Sequence, residues 1–351
     1  MAIKVIQWAT GGVGRASVAG IVAHPDLELV GCWVHSPDKV GVDVGELCGI
    51  DLLGVAATDD IDGLLSLGAD CVIYSPIMAD PSVVARILAS GANVVTPLNW
   101  FFPEGRNEST IEAACLRGGT SVHGTGIHPG GITERFPLMV SALSQSITHV
   151  RAEEFSDIRT YDAPGVVGDI MLFGKTPEEA GASMMPAILG DGFGQSIRMI
   201  GHALGFALDE DLSISHEVAV ATAPIDSPIG PIMPGRIAAQ KFRWVASVRG
   251  EPVITVATNW FMGEEHLEPA WSFGPEGERF EVEVSGDPPA RVTFRGWHPD
   301  TIAAGLARNP GVVATATHCV SAVPAVVAAA PGIRTYLDLP MYTGRSASHL
   351  I

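Results

Sequence analysis

Positive charge is scarce in this chain of 351 residues: 21 Lys and Arg stand against 39 Asp and Glu, a formal charge of −18. A surface that negative repels phosphate backbones, so nucleic acid is excluded as an expected partner. Cysteine is also sparse. The five residues Cys32, Cys48, Cys71, Cys115 and Cys319 are scattered and form no C-x-x-C pair, which argues against a disulfide framework and a zinc knuckle. A reducing compartment fits, and a cytoplasmic location is expected. A basic leader is missing too: MAIKVIQWATGGVG runs at once into an apolar segment and a glycine loop, so no signal peptide is expected. Long apolar runs are represented by one uncharged stretch, Gly311 to Gly332, interrupted by His318, Ser321, Pro324 and Pro331. It is expected to be a buried helix and not a membrane span. What the chain does have is 47% hydrophobic residues, 40 Gly and 25 Pro, the composition of a turn-rich globule. Its length favours two domains.

Up to about residue 130, short apolar β-branched runs alternate with helical segments, as in βαβ units. The expected strands are Ile3 to Ala9, Leu27 to His35, Cys71 to Ser75, Asn93 to Pro97 and Ser121 to Gly124. Asp80, Pro81 and Gly91 punctuate the helix SVVARILAS as cap, first position and stop. Five such strands with crossover helices make a doubly wound parallel sheet. Beyond residue 147 the rhythm changes to long alternating strands: HVRAEEFSDIRT, LSISHEVAVATA, AAQKFRWVASVRG, PVITVATNWF, RFEVEVSG and ARVTFRGW. These predict a mainly antiparallel sheet in an α+β domain. Two helices interrupt them, one opening on the capping box of Thr176, Pro177 and Glu179 and one through SIRMIGHALGFA. The expected division is 1–134, 135–310, and a tail of 311–351 whose helix returns to the first domain.

The first strand ends in ATGGVGR, residues 9–15, followed by the helix-forming ASVAGIVAH. This is the dinucleotide fingerprint G-x-G-x-x-G with Ala9 at the first glycine position, so the first domain is expected to be a Rossmann domain. Thr10, Gly11, Gly12, Val13 and Gly14 form the phosphate turn. Gly11 lets the backbone approach a pyrophosphate, Gly14 lets helix and strand pack closely, and the helix N-terminus supplies amides and a positive dipole. Ser75 and Pro76, ending another strand of the same sheet, are expected to touch the cofactor as well. At the tip of the second strand, where NAD enzymes tend to carry an acid for the ribose, stand His35, Ser36, Pro37, Asp38 and Lys39. His35, Ser36 and Lys39 suit a 2′-phosphate, so NADP is favoured, while Asp38 keeps NAD open.

His123 and His128 in HGTGIHPGG lack a third ligand at plausible spacing, so no metal site is expected and a structural or pocket-lining role is preferred. His318 beside Cys319 is expected to serve helix packing, not a nucleophile pair. Glu104 is the acid of most interest. It lies in TPLNWFFPEG, a loop leaving the carboxyl end of a strand, the edge at which open α/β sheets bind ligands. Trp100, Phe101 and Phe102 are expected to desolvate it in part and bring it into the range useful for proton transfer. From composition alone, a solvated loop glutamate is the better reading. Glu108, four residues on, is expected in the following helix, facing solvent.

With WATGGVGR at 8–15, VHSPDKVGVDVGELCG at 34–49, TPLNWFFPEG, HGTGIHPGG at 123–131 and VSAVPAVVAAAPGIRTYLDLP at 320–340, the whole chain resembles the native NAD(P)H-dependent amine dehydrogenases. These are related to 2,4-diaminopentanoate dehydrogenase and more distantly to dihydrodipicolinate reductase. The resemblance implies a homodimer, a second domain for substrate binding and dimerisation, and a catalytic glutamate at Glu104. That residue would handle protons as ammonia condenses with a ketone or aldehyde, before hydride passes to the imine carbon. Trp100, Phe102, Tyr161 and Met171 are the expected substrate pocket, with Phe173, Trp260 and Met262 as further candidates. Dihydrodipicolinate reductases carry a histidine pair, a lysine and D-A-P-S-G-T where this chain keeps only Asp162, Ala163 and Pro164, so their cyclic dicarboxylate substrate is not implied. Two alternatives stand beside the leading reading: a reductase of a cyclic imine or amino-acid-like substrate, and a redox sensor that binds NAD(P)H without turnover.

Overall fold

The computed structural model describes residues 2–104, 106–161, 163–274, 279–295 and 309–346. Asp162, and residues 296–297 at the end of the last expected strand, lie outside them. The chain divides into two compact units, one of residues 1–130 with 312–351 and one of residues 131–311.

In the first unit, β1 (Ile3–Trp8), β2 (Leu27–Trp33), β3 (Ala57–Thr58), β4 (Cys71–Tyr74), β5 (Asn93–Thr96) and β6 (Ser121–Gly124) alternate with α1 (Gly12–Ala23), α2 (Val44–Cys48), α3 (Ile61–Leu65), α4 (Pro81–Ala89) and α5 (Ser109–Gly118). The sheet order is β3-β2-β1-β4-β5-β6, extended by the two-residue strand Gly332–Ile333 beyond β6. Every pairing is parallel. The order reverses between β1 and β4, which is where a doubly wound sheet opens a crevice at its carboxyl edge. β3 and Gly332–Ile333 are additions to the five strands expected, being too short to show alternation.

The period-two pattern of the strands explains why helices cover both faces. Ile6, Trp8, Val72 and Val94 point toward α3, α4 and α5, meeting Leu64, Val84, Ile87, Ile111 and Cys115. Val5, Ile73 and Val95 point the other way, onto Ile21 of α1 and onto Cys319, Val320, Val323 and Val326 of the helix Pro310–Val327. That helix is long and apolar enough to cross a membrane by length and composition. Its packing against this core is what a core helix of the same composition does. The helix α4 forms as its punctuation predicts, Asp80 accepting from the backbone N–H of Ser82 and Val83 with Pro81 at its start.

In the second unit, α6 (Phe136–Ser141), β7 (Gln145–Asp157), α7 (Pro177–Gly181), α8 (Met185–Leu204), β8 (Ser213–Ala221), β9 (Ile237–Val248), β10 (Glu251–Phe261), β11 (Leu267–Glu268), β12 (Arg279–Asp287) and β13 (Ala290–Phe294) follow in order. The sheet runs β11-β8-β9-β10-β7-β12-β13. It is antiparallel except at its centre, where β7 and β10 are parallel, a pairing that alternation alone does not reveal. Val150, Phe242, Trp244, Ile254, Val256 and Val284 bury one face with Phe193, Ile197 and Ile200 of α8. The other face carries a charge ladder: Arg151 reaches Glu281 and Glu283 at 3.0 Å each, and Arg243 reaches Glu153 at 3.0 Å. The capping box of α7 forms between Thr176 and Glu179. α8 starts at Met185, well before the expected Ser196, and stops at Leu204 because Gly205 turns left-handed at φ 76°.

Candidate functional site

The turn after β1 is held open by side chains that the fingerprint does not include. Gln7, the buried polar residue of β1, directs its amide toward the carbonyls of Trp8 and Ala9 (3.1 and 2.9 Å) and to Ser75 Oγ at 2.9 Å. Ser75 N donates to the Trp8 carbonyl at 3.1 Å, so the ends of β1 and β4 are fastened together at the switch point. The sequence carries a weak signal for Gln7, a polar residue on the apolar half of IKVIQW. Ala9 adopts φ 74°, the left-handed conformation that the fingerprint normally gives to glycine. Gly14 is obligatory: a Cβ there would lie 2.1 Å from the Ala9 carbonyl oxygen.

These features fit a dinucleotide. A Cβ on Gly11 would meet nothing within 4 Å, so the loop presents bare backbone to open space. Among the described residues α1 has no side-chain cap bond, and its first turn holds no acid, so its N-terminal N–H groups and dipole are set toward that space as the fingerprint requires. Lys39 Nζ lies 3.3 Å from Thr10 Oγ1, placing a cation on the phosphate turn. His35 is exposed and Ser36 half-buried at the tip of β2, and Ser75 and Pro76 are half-buried beyond β4. Thr10, Gly11, Gly12, Val13, Gly14, Lys39 and Ser75 are thus gathered along the carboxyl edge of β1, β2 and β4.

The loop carrying Glu104 follows β5 at the same edge. Gly124, ending β6, donates its N–H to the Trp100 carbonyl at 3.2 Å. A Cβ on Gly124 would lie 2.2 Å from the Asn99 carbonyl oxygen, so only glycine lets the loop lie this close. Arg106 N donates to the Pro103 carbonyl at 3.0 Å, which puts Glu104 second in a four-residue turn.

Three sequence expectations need correction here. Glu104 is exposed, in place of the expected partly desolvated carboxylate among the rings of Trp100, Phe101 and Phe102, which are themselves buried. Trp100 is 1% exposed within the core that holds Trp8, Tyr74 and Ile111, so its ring serves packing and does not face a pocket. Glu108 does not face solvent from a helix: it precedes α5, and its Oε2 accepts the Trp100 indole N–H at 2.9 Å.

His123 is buried, with Nδ1 2.7 Å from the Arg334 carbonyl and Nε2 3.3 Å from the Tyr342 hydroxyl. Since a carbonyl only accepts, Nδ1 carries the proton. His318 Nε2 meets the Tyr336 and Tyr342 hydroxyls at 2.8 and 3.3 Å. Cys319 is buried away from it in the core, and burial pushes its thiol up to about 12, which suits packing and not nucleophilic chemistry. Among the described residues, no group of three or more His, Cys, Asp or Glu is arranged to hold a metal ion.

In the second unit, Tyr161, Met171, Phe173, Trp260 and Met262 share one apolar cluster. Burial pushes the Tyr161 hydroxyl up to about 12. Glu134, in a wide turn of π type at Gly131–Arg135, is fully buried. Ser196 Oγ donates to its Oε1 at 2.5 Å, its Oε2 meets no hydrogen-bond partner among the described residues, and desolvation holds its carboxyl well above the usual range.

Residues 133–349 match the family described as the 2,4-diaminopentanoate dehydrogenase C-terminal domain. The chain is 33% identical over 97% of its length to an amine dehydrogenase of Streptomyces virginiae, covering 96% of that protein. This chain belongs to the amine dehydrogenase family. It is also 25% identical to the 2,4-diaminopentanoate dehydrogenase of Acetoanaerobium sticklandii, over 66% of this chain and 60% of that one. Similarity to a 4-hydroxy-tetrahydrodipicolinate reductase of Synechococcus elongatus, 40% identical, spans 18% of this chain and 24% of that one. The amine dehydrogenase of Mycobacterium smegmatis shares the fold, with a TM-score of 0.77 at 20% identity over 98% of each chain.

Proposed function

We propose that this protein is an NAD(P)H-dependent amine dehydrogenase that aminates small ketones or aldehydes with ammonia and runs the reverse deamination. The observation that carries the reading is Glu104 at the tip of a braced loop, on the same sheet edge as the bare phosphate turn. Thr10, Gly11, Gly12, Val13, Gly14, His35, Ser36, Lys39, Ser75 and Pro76 would hold the dinucleotide, with Lys39 favouring the 2′-phosphate of NADP over NAD. When bound, the nicotinamide supplies hydride. Glu104 accepts a proton from ammonium, freeing the lone pair that attacks the carbonyl, and returns it as water leaves. Its carboxylate then steadies the positive charge of the iminium. Because Glu104 is exposed, bound reactants would add the apolar surround that sharpens these effects. Tyr161 and Met171 belong to the substrate-binding role of the second unit.

The same reading includes a homodimer built on the sheet of the second unit, and free thiols, four of the five buried, suit a reducing compartment such as the cytoplasm. The test is oxidation of NADPH with ammonia and a panel of ketones and aldehydes. Turnover that needs both ammonia and the carbonyl compound is expected. Binding of NADPH without turnover on any of them would favour a sensor, and turnover on cyclic imines alone would favour an imine reductase.

A further inference from the structure

We propose that Glu108 is a positioning residue, which closes the loop bearing Glu104 by accepting the Trp100 indole N–H. The inference rests on Glu104 being the acid–base group. Two closures nest around Glu104, and a third contact ties them together. The outer one is Trp100 Nε1 to Glu108 Oε2 at 2.9 Å, and the inner one is Arg106 N to the Pro103 carbonyl at 3.0 Å. Between them, Arg106 Nε donates to Glu108 Oε1 at 3.2 Å, so both carboxylate oxygens of Glu108 are engaged within the loop.

Both ends of the outer closure are fixed. Trp100 is 1% exposed in the core and adopts φ 59°, a left-handed conformation that a non-glycine residue keeps only where its surroundings enforce it. Its carbonyl is held by Gly124 N. Glu108 stands at the N-cap of α5, where Ser, Thr, Asp or Asn is preferred, and its side chain makes no cap bond. Helix capping therefore does not explain a glutamate there, whereas its reach back to the indole does. A charge-assisted hydrogen bond with a side chain only 14% exposed is strong and directional. The exposed Glu104 turn is thereby carried on a closed frame instead of a free loop.

The experiment compares E104Q, E108A, E108Q, W100F and the double variant E104Q/E108A by kcat for reductive amination, NADPH affinity and thermal melting. E108A is expected to lower kcat ~10- to 100-fold while NADPH affinity stays within a factor of ~2, since small misplacements of a reacting group cost rate far more than binding. E108Q, whose amide oxygen still accepts the indole N–H, is expected to stay within ~3-fold of the parent. In the E104Q background, E108A should cost nothing further. Near-parental kcat in E108A, equal losses in E108A and E108Q, or losses that multiply with that of E104Q would each overturn the positioning role, while leaving Glu104 intact if E104Q is impaired. A fully active E104Q instead sinks the Glu104 reading itself. Should E108A fail to fold, W100F keeps the packing without the N–H and is read the same way.

Discussion

Lys39 Nζ stands 3.3 Å from Thr10 Oγ1, so the residue that distinguishes the tip of β2 reaches back onto the turn that follows β1. Asp38 stands at that tip too, but the side chain that meets the phosphate turn is the Lys39 cation. NADPH is expected to bind more tightly than NADH in fluorescence titrations. Lys39→Ala should weaken NADPH by ~10-fold and NADH by less than ~2-fold, the size of one lost charge-assisted hydrogen bond. Tighter binding of NADH by the parent protein would refute this.

Ala9 and Gly14 make a pair in which the chain departs from and obeys the fingerprint. Ala9 at φ 74° carries a left-handed penalty of roughly 1–2 kcal/mol, part of which glycine would give back as unfolded-state entropy. Ala9→Gly should therefore stabilise the protein by ~0.5–1 kcal/mol in urea denaturation, with cofactor affinity kept. Gly14→Ala should do the reverse, because its Cβ 2.1 Å from the Ala9 oxygen forces α1 off the strand. Loss of dinucleotide binding is expected, and unchanged affinity in Gly14→Ala would contradict the close packing described.

The parts of this architecture legible in sequence are those whose cause is local. The β1 turn, the Asp80 and Thr176 caps and the strand alternations each need only neighbours in the chain to form. What stayed hidden depends on residues distant in sequence. Gln7 fastens Ser75, sixty-eight positions on, and the Glu104 loop owes its path to Gly124 from another strand. The burial of Phe101 and Phe102 beside an exposed Glu104 goes with a Trp100 backbone at φ 59°, and no composition rule gives a tryptophan a left-handed backbone. The parallel pairing of β7 with β10 is likewise a matter of sheet order, which alternation does not encode.

Glu134 allows a prediction on pH. Its folded carboxyl is held well above the unfolded value of about 4.3, so the native state keeps a proton that the unfolded chain has lost. The stability this contributes is fully present below about pH 4.3 and is lost as pH rises through the folded pKa. Glu134→Gln preserves an acceptor for Ser196 and removes the titration. The variant should melt above the parent at pH 8, with the gap narrowing toward pH 5. A gap that is constant across this range would show that Glu134 does not titrate as a buried, uncharged acid.

The outer face of the second unit's sheet bears on assembly. Val245, Thr255 and Ala257 lie across adjacent strands there, beside ion pairs satisfied within the chain through Arg151 and Arg243. A second copy that covers this part of the face meets Arg151 and Arg243 already paired, which lowers the cost of burying them in a two-fold interface. Light scattering on dilute protein is expected to give twice the chain mass, and a monomeric mass would count against the homodimer.

Glu104 is the most exposed of these ideas in both senses. Its loop leaves β5 at the edge where β1 and β4 diverge, its turn is closed by Pro103 and Arg106, and the chain's family is one of amine dehydrogenases. Glu104→Gln keeps size and hydrogen bonding while removing the carboxylate that takes a proton from ammonium. Turnover should fall at least ~100-fold, the low end of what general acid–base catalysis supplies, with NADPH affinity and melting temperature unchanged. Because the lost step is deprotonation of the amine, reductive amination in the variant should recover in part as pH rises toward the range where free ammonia is abundant, while the parent gains little. Near-normal turnover at neutral pH, or a loss that no rise in pH relieves, would remove Glu104 from the role of proton acceptor.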